Sequence, residues 1–330
     1  MTTTRAWTLK QRPQGMPTDA DFELQDLVLP PLGEGEVRVR NEWLSVDPYM
    51  RGRMNDVKSY FPPFQLGQPI DGGAVGRVVE SRADGFAEGD LVQHMLGWRD
   101  LTQAPAAAFN KLPALGVPDH HWLGLLGLPG GTAYFGLLDV MQPKEGETLF
   151  VSAAAGAVGS AVVQIAKLKG LTVAASAGGA AKCEWVRELG ADQVIDYKAG
   201  AVLPALRQAA PKGIDLYFDN VGADHLDAAF GCARQRARFA ICGLIDMYNT
   251  GAATSLRYFP SIIGNRIRVQ GFLFTDYMPR LPEFYAEMAP WLASGKIQSR
   301  ETIHDGIEAM PHAFRGLFTG ENIGKMLVRL

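Results

Sequence analysis

Cysteine is scarce in this chain, with only Cys183, Cys232 and Cys242 among 330 residues, far apart and never paired as C-x-x-C. That spacing leaves no structural zinc lobe and makes a disulfide framework unexpected. The histidines are His94, His120, His121, His225, His304 and His312, and none forms H-E-x-x-H. No ligand set for a catalytic zinc of the Cys/His kind is legible, so alcohol oxidation through a zinc alkoxide is not expected. No apolar run approaches the roughly 18 residues of a membrane span. The segment Met1–Trp7 lacks the apolar stretch of a signal peptide, so the expected location is cytoplasmic. Charge of one sign is also lacking: the net charge is −3, which gives no general case for nucleic acid or an anionic membrane surface as partner. There is no G-x-S-x-G elbow, Walker A loop or EF-hand either.

What is present suits a globular protein, with hydrophobic residues at 47% and charged residues at 20%, and a length sufficient for two domains with proper cores. The first 120 or so residues read as β-rich. Residues Gly35–Trp43 alternate like a half-buried strand, and Ile70–Glu80 reads as a strand bent at its glycines, where backbones approach closely. Phe86–Val92 reads as a turn entering another strand. Near Trp122 the pattern changes, and Pro129–Leu138 looks helical after its glycines. Strands are then expected at 148–151, 172–175, 193–195, 214–219, 237–241 and 266–274. Helices are expected between the first five, at 159–168, 180–189, 203–208 and 224–232. This alternation is the signature of a doubly wound parallel sheet. A last helix, 281–293, leads to a tail from Gly295 that need not belong to the same domain.

Val151-Ser152-Ala153-Ala154-Ala155-Gly156-Ala157-Val158-Gly159 carries the most information. A strand, a turn of small residues and a helix N-terminus together make an anion site, because backbone N–H groups and the helix dipole converge on a pyrophosphate. Ala154 stands where the first glycine of G-x-G-x-x-G belongs, while Gly156 and Gly159 keep the other two. An acid about twenty residues downstream normally holds the ribose hydroxyls of NAD. Here the second strand ends in Ser176-Ala177-Gly178-Gly179-Ala180-Ala181-Lys182, with no carboxylate. Hydroxyls, amides and an ammonium welcome a ribose phosphate, so NADP(H) is the expected cofactor.

Several motifs, in order along the chain, carry a resemblance. They are Val46-Asp47-Pro48-Tyr49-Met50-Arg51, the Ala153–Gly159 turn, Phe218-Asp219-Asn220-Val221-Gly222, Ile241-Cys242-Gly243 with Tyr248-Asn249, and Gly320-Glu321-Asn322-Ile323-Gly324-Lys325. The chain resembles the zinc-independent medium-chain dehydrogenase/reductase family, in its branch of leukotriene/prostaglandin reductases and alkenal double-bond reductases, which includes bacterial curcumin reductases. The resemblance implies an α/β protein. A GroES-like β-barrel catalytic domain would come from residues 1–122 and 296–330, and a Rossmann domain with a six-stranded parallel sheet from 123–295. It also implies an active site in the cleft between them and a homodimer joined through Rossmann edge strands, with 266–274 as the pairing strand.

The resemblance further implies roles at matching positions. Gly156, Ala157, Val158 and Gly159 would hold the pyrophosphate, and Gly178, Lys182 and Tyr197 the adenosine ribose-phosphate. Asn220 would stand at the carboxyl edge of the sheet, Cys242 and Gly243 near the nicotinamide ribose, Thr132 beside the nicotinamide amide, and Asn322 near the nicotinamide. One departure stands out: Thr275 aligns with a tyrosine of some mammalian members, and Tyr277 lies two residues later.

The reaction of that branch delivers hydride from NADPH to the β-carbon of an α,β-unsaturated ketone or aldehyde. Negative charge develops on the carbonyl oxygen, which a metal-free site must meet with a hydrogen-bond donor worth on the order of 3 kcal/mol. A tyrosine, protonated at neutral pH, suits. Tyr248 is the first choice and Tyr49 the second, with Tyr60 and Phe64 of the Ser59–Phe64 loop lining an apolar substrate pocket beside Tyr49. The segment 244–258, with Gly243 and Gly251, reads as a lid. The alternatives are a quinone oxidoreductase of the same fold and a non-catalytic NADPH-binding protein.

Overall fold

The computed structural model describes residues 1–251 and 254–330. The chain opens with strands β1 (Thr2–Leu9), β2 (Phe22–Leu29) and β3 (Glu36–Ser45), a single helical turn α1 (Met50–Arg53), then β4 (Ala74–Ser81), β5 (Leu91–His94), β6 (Leu101–Pro105) and β7 (Asn110–Lys111). Next come α2 (Leu128–Phe135), β8 (Thr148–Val151), α3 (Ala157–Leu168), β9 (Thr172–Ala177), α4 (Ala180–Glu188), β10 (Gln193–Asp196) and α5 (Val202–Ala209). They are followed by β11 (Ile214–Asp219), α6 (Ala223–Cys232), β12 (Ala233–Ile241), α7 (Ser261–Gly264), β13 (Arg268–Gly271) and α8 (Leu281–Ala293). The chain closes with β14 (Glu301–Asp305), α9 (Met310–Thr319) and β15 (Lys325–Arg329).

It divides into two compact units. The first comprises Met1–Leu123, Glu301–Asn322 and Met326–Leu330; the second comprises Gly124–Arg300 and Ile323–Lys325.

The first unit is the GroES-like β-barrel domain. Its main sheet runs β14-β15-β3-β4-β5-β7, with β6 also on β3, and β1 and β2 form a separate antiparallel pair. The long strand β3 carries the alternation expected of it, and its register against β4 shifts between Asn41 and Trp43. Gly76 lies opposite that shift, where a β-carbon would stand 2.2 Å from the Arg40 carbonyl oxygen, so only glycine lets the strands close here. Leu9, Leu44, Met50, Trp98, Phe314 and Val328 share one core. The C-terminal α9 and β15 thus complete a core begun by the first hundred residues.

The second unit is a Rossmann domain whose parallel strands run β10-β9-β8-β11-β12-β13. Its strands are apolar runs because helices cover both faces: Phe150, Tyr217, Phe239, Leu206 and Phe230 are buried together. Most expected elements fall within one or two residues of the observed ones. Two corrections concern the aromatic segment at the end. The strand expected over 266–274 is only Arg268–Gly271, and residues 274–280 form a 3-10 helix. The chain leaves the sheet because Phe274 and Phe272 seat their rings on Gly131 and Gly136, where β-carbons would come within 2.1 Å and 2.4 Å. The same contacts explain why α2 begins before its glycines rather than after them: Gly130 and Gly131 are buried helical positions. A π-helix, Gly136–Met141, continues it. No helix among the described residues is long and apolar enough to cross a membrane.

Candidate active site

The glycine turn is built by close approach. Ala153 takes a left-handed backbone, φ 48°, unusual for a residue with a side chain. The Ala154 amide then donates to the Ser176 carbonyl of β9 at 2.8 Å, and Gly156 caps α3 in an extended conformation. A β-carbon on Gly159 would stand 2.4 Å from the Ala153 carbonyl oxygen, so α3 can start this near the turn only with glycine there. The first-turn amides of Ala157, Val158 and Gly159 have no acceptor within the helix, which makes the N-terminus an anion site. The tail reaches the same turn: the Gly324 amide donates to the Ala155 carbonyl at 2.7 Å. Gly324 has φ 69°, and a β-carbon would lie 1.7 Å from the Arg300 carbonyl oxygen. The tail motif therefore has a steric reason for glycine at Gly324, and Asn322 precedes it by two residues.

A second group forms at the ends of β9 and β10. Tyr197 lies over Gly178, where a β-carbon would be 2.6 Å from the phenol oxygen. Lys182, in the first turn of α4, is half-buried; burial lowers its pKa, and the neighbouring Lys198 ammonium lowers it further. Neither lysine has a carboxylate partner among the described residues. Lys198 was not legible as a site residue, since it sits beyond the third strand, although its position directly after Tyr197 was a usable signal. An acid does approach this loop from that strand: Asp196 Oδ1 accepts from the Gly179 and Lys198 amides, both at 2.9 Å. The Gly179 bond, followed by that from Lys198, holds its pKa below the usual carboxylate value. Ser176, the first hydroxyl of the loop, is instead fully buried, its Oγ without a partner.

The third group stands at the carboxyl ends of β11 and β12. Asp219 is buried, and its Oδ1 accepts from Tyr217 Oη, Ser152 Oγ and the Val221 and Gly222 amides at 2.7–3.1 Å. Burial raises its pKa against those bonds. The carboxyl fixes the bend after β11 and so aims Asn220, whose Nδ2 donates to the Ser152 carbonyl at 2.8 Å. Sequence reasoning named Asn220 and missed Asp219 as its anchor. Cys242 and Gly243 both donate backbone N–H to the Asp219 carbonyl, and burial pushes the Cys242 thiol up to about 12, keeping it neutral. Tyr248 follows a short 3-10 turn; its phenol oxygen accepts the Leu244 amide at 3.2 Å, and a β-carbon on Gly243 would lie 3.4 Å from it. Asn220, Gly243 and Tyr248 thus meet on one edge, joined through Ser152 to the glycine turn.

Thr132 is buried in α2 and donates its hydroxyl to the Leu128 carbonyl at 2.7 Å, leaving only its oxygen to accept. Tyr277 stacks on Phe135 with ring centroids 4.4 Å apart, a packing position. Part of the expected lid lies outside the described residues, at Ala252 and Ala253. Tyr258 is anchored, its amide donating to Asp227 Oδ1 at 2.7 Å.

In the first unit Tyr49 follows β3 and opens α1. Its ring lies 5.6 Å from that of Phe61, and its buried hydroxyl has no hydrogen-bond partner. Burial, and after it the Asp47 charge, raises its pKa, so it stays protonated. Tyr60 is exposed, its ring tilted against that of Phe61 with centroids 5.2 Å apart. Phe64 corrects the expectation of a pocket-lining ring: it is 4% exposed, part of the barrel core, and capped by the Arg53 guanidinium 4.1 Å above it. Arg51 of the same motif is spent on the Gly15 carbonyl and on Asn55 Oδ1.

Histidine held a further surprise. The residues His120, His121 and Glu301 come together, as do His304, His312 and Glu321. No spacing rule could have shown either group, since each joins segments remote in sequence.

Residues 5–112 match the family model described as the N-terminal domain of oxidoreductase, and residues 157–294 the model described as zinc-binding dehydrogenase. The chain is 45% identical to the NADPH-dependent curcumin reductase of Escherichia coli, covering 99% of this chain and 96% of that one. It is 41% identical to mouse prostaglandin reductase 1 over the whole of both chains. Among solved structures, CurA of Vibrio vulnificus in complex with NADPH superposes with a TM-score of 0.94 at 42% identity, covering 98% of each chain. The chain belongs to the medium-chain dehydrogenase/reductase family, in the branch of prostaglandin reductases and alkenal double-bond reductases.

Proposed function

We propose that this protein is an NADPH-dependent reductase of the carbon–carbon double bond in α,β-unsaturated ketones and aldehydes. The observation that carries the reading is the pairing of two lysines, Lys182 and Lys198, beside Gly178 and Tyr197, in a loop whose nearby acid, Asp196, is already engaged by amides. A ribose phosphate would meet positive charge there and no competing carboxylate. The names of the curcumin and prostaglandin reductases, alike over the full chain, support the same cofactor and substrate class.

The Ala157–Gly159 amides would hold the pyrophosphate, and Asn220, Cys242, Gly243, Thr132 and Asn322 would surround the nicotinamide half. When bound, NADPH supplies the hydride that the β-carbon receives. Tyr248 is the catalytic residue in this reading: its O–H donates to the carbonyl oxygen as charge builds there. The Leu244 N–H that its oxygen accepts polarises the phenol and strengthens it as a donor. Tyr49 and Tyr60 would hold the substrate. No zinc Lewis acid is needed, and Cys183 and Cys232 are core residues. The reading includes a cytoplasmic homodimer joined through β13, an edge strand with all four residues exposed.

NADPH absorbance, followed with a long-chain alkenal, an aryl enone, curcumin, a quinone and a saturated ketone, tests it. Consumption with the enones and alkenal alone, giving saturated carbonyl products, is expected. Activity on the quinone alone, or none despite tight NADPH binding, would overturn the reading.

A further inference from the structure

We infer that His120, His121 and Glu301 form a binding site for a divalent transition metal of the zinc class, within the barrel unit and distinct from the residues assigned to hydride transfer. Three donor atoms converge. His120 Nε2 lies 3.7 Å and His121 Nδ1 3.8 Å from the same oxygen, Glu301 Oε1. These separations exceed by a few tenths of an ångström the roughly 3.4 Å edge of a zinc tetrahedron with bonds near 2.05 Å. They are too long for hydrogen bonds between the imidazoles and that oxygen.

The second observation is the state of His121. It is 9% exposed, and its Nδ1 is buried without a hydrogen-bond partner. A cation between the imidazoles and the carboxylate would give that nitrogen the partner it lacks. Two imidazoles and one carboxylate suit zinc, cobalt or nickel, and they leave a fourth position for water.

The site is built on rigid supports. His120 rests against the Trp43 indole of β3, ring centroids 5.1 Å apart. The 3-10 helix that carries both histidines is tied down by Gln93, which donates to the Trp122 carbonyl at 2.8 Å, and by the Arg77–Asp119 ion pair at 2.7 Å. Glu301 begins β14, at the edge of the barrel sheet. A bound ion would clip together the points where the chain leaves the first unit and returns to it. The stretch matched by the zinc-binding dehydrogenase model, 157–294, contains none of the three ligands. In the second cluster His304 Nε2 is likewise buried without a hydrogen-bond partner, 3.2 Å from Glu321, but His312 and Glu321 are exposed, which opens that group to water.

The test is titration of chelator-stripped, full-length protein with Co²⁺, read by visible absorption, followed by displacement with Zn²⁺. One Co²⁺ per chain, with the bands of a four- or five-coordinate site that zinc abolishes, is expected. His121→Ala and the near-isosteric Glu301→Gln should each weaken binding at least about tenfold, while His304→Ala should not. Circular dichroism melts without metal check that each variant is folded, and Glu301→Gln stands if His121→Ala is not. Affinity unchanged in both variants, loss confined to His304→Ala, or no saturable binding at millimolar metal would each overturn the site.

Discussion

At the scale of single residues, the proposed preference for NADPH rests on two ammonium groups and one engaged acid. Lys182→Ala should weaken NADPH binding about ten- to hundredfold, the worth of a charge-assisted hydrogen bond, and leave NADH nearly unchanged. Fluorescence titration with both cofactors measures this, and equal loss for both would make Lys182 structural. Lys198→Ala should act in the same direction. Because both ammonium groups would meet the same phosphate, the two losses should not add. Tyr248→Phe should lower kcat by about a hundredfold with little change in NADPH affinity, since only a donor at the developing oxyanion is removed. Normal turnover on a verified enone would remove Tyr248 from the mechanism. The positions of Lys182, Tyr248 and Asn220 after strand ends were legible because a strand end followed by a small-residue turn fixes where a side chain emerges. Lys198, Asp196 and Asp219 were not, because their partners come from other strands and no spacing records that.

At the scale of elements, the glycine turn and α3 were legible because strand, turn and helix are contiguous and each leaves its own pattern. Gly159→Ala makes a sharp test of that turn. Alanine should gain about 1 kcal/mol in helix propensity, but the added carbon would sit 2.4 Å from a backbone carbonyl that cannot step aside. Overpacking of this kind costs about 1–3 kcal/mol, so the clash wins. Thermal melts should show a lower midpoint, and NADPH binding should weaken with it; a higher midpoint would mean the turn relaxes freely. The end of the sheet was less legible. An apolar run such as Ile267–Phe274 reads as a long strand, yet Phe272 and Phe274 turn to fill the hollows left by Gly131 and Gly136. Glycine shows in a sequence as flexibility, whereas here it marks the absence of bulk that a distant ring fills. Phe64 makes the same point in reverse, since a loop aromatic became a core residue once Arg53 covered it.

At the scale of the whole molecule, acid stability follows from histidines held neutral in the two cores. His94 accepts the Leu96 amide at Nδ1 at 3.1 Å and pairs through Nε2 with Asn41 at 2.8 Å, so a second proton would break the first bond. Burial, with some help from Arg99, lowers its pKa to about 3, and burial lowers that of His225 to about 4. Both groups bind protons more readily in the unfolded chain. Stability should therefore be fully present above the unfolded histidine value near 6.5 and fall as pH drops toward 4. Urea melts at pH 7.5, 6 and 5 should show this decline, and His94→Asn should flatten it; a flat profile in the parent would contradict neutral burial. The two-unit plan itself was visible as a change from β-rich to alternating segments, but the exact crossings were not.

One such crossing is the tripeptide Ile323–Lys325, which belongs to the second unit although all its sequence neighbours belong to the first. The amide of Gly324 completes the turn at Ala155, so a fragment ending at Arg300 would keep every strand of its sheet and still lack one of the bonds that shape its anion site. The halves are consequently not interchangeable cassettes. A recombined gene that exchanged one against a relative's would have to carry this short stitch along with its proper host, and chimaeras cut at the visible domain border should bind cofactor more weakly than those that move the stitch as well.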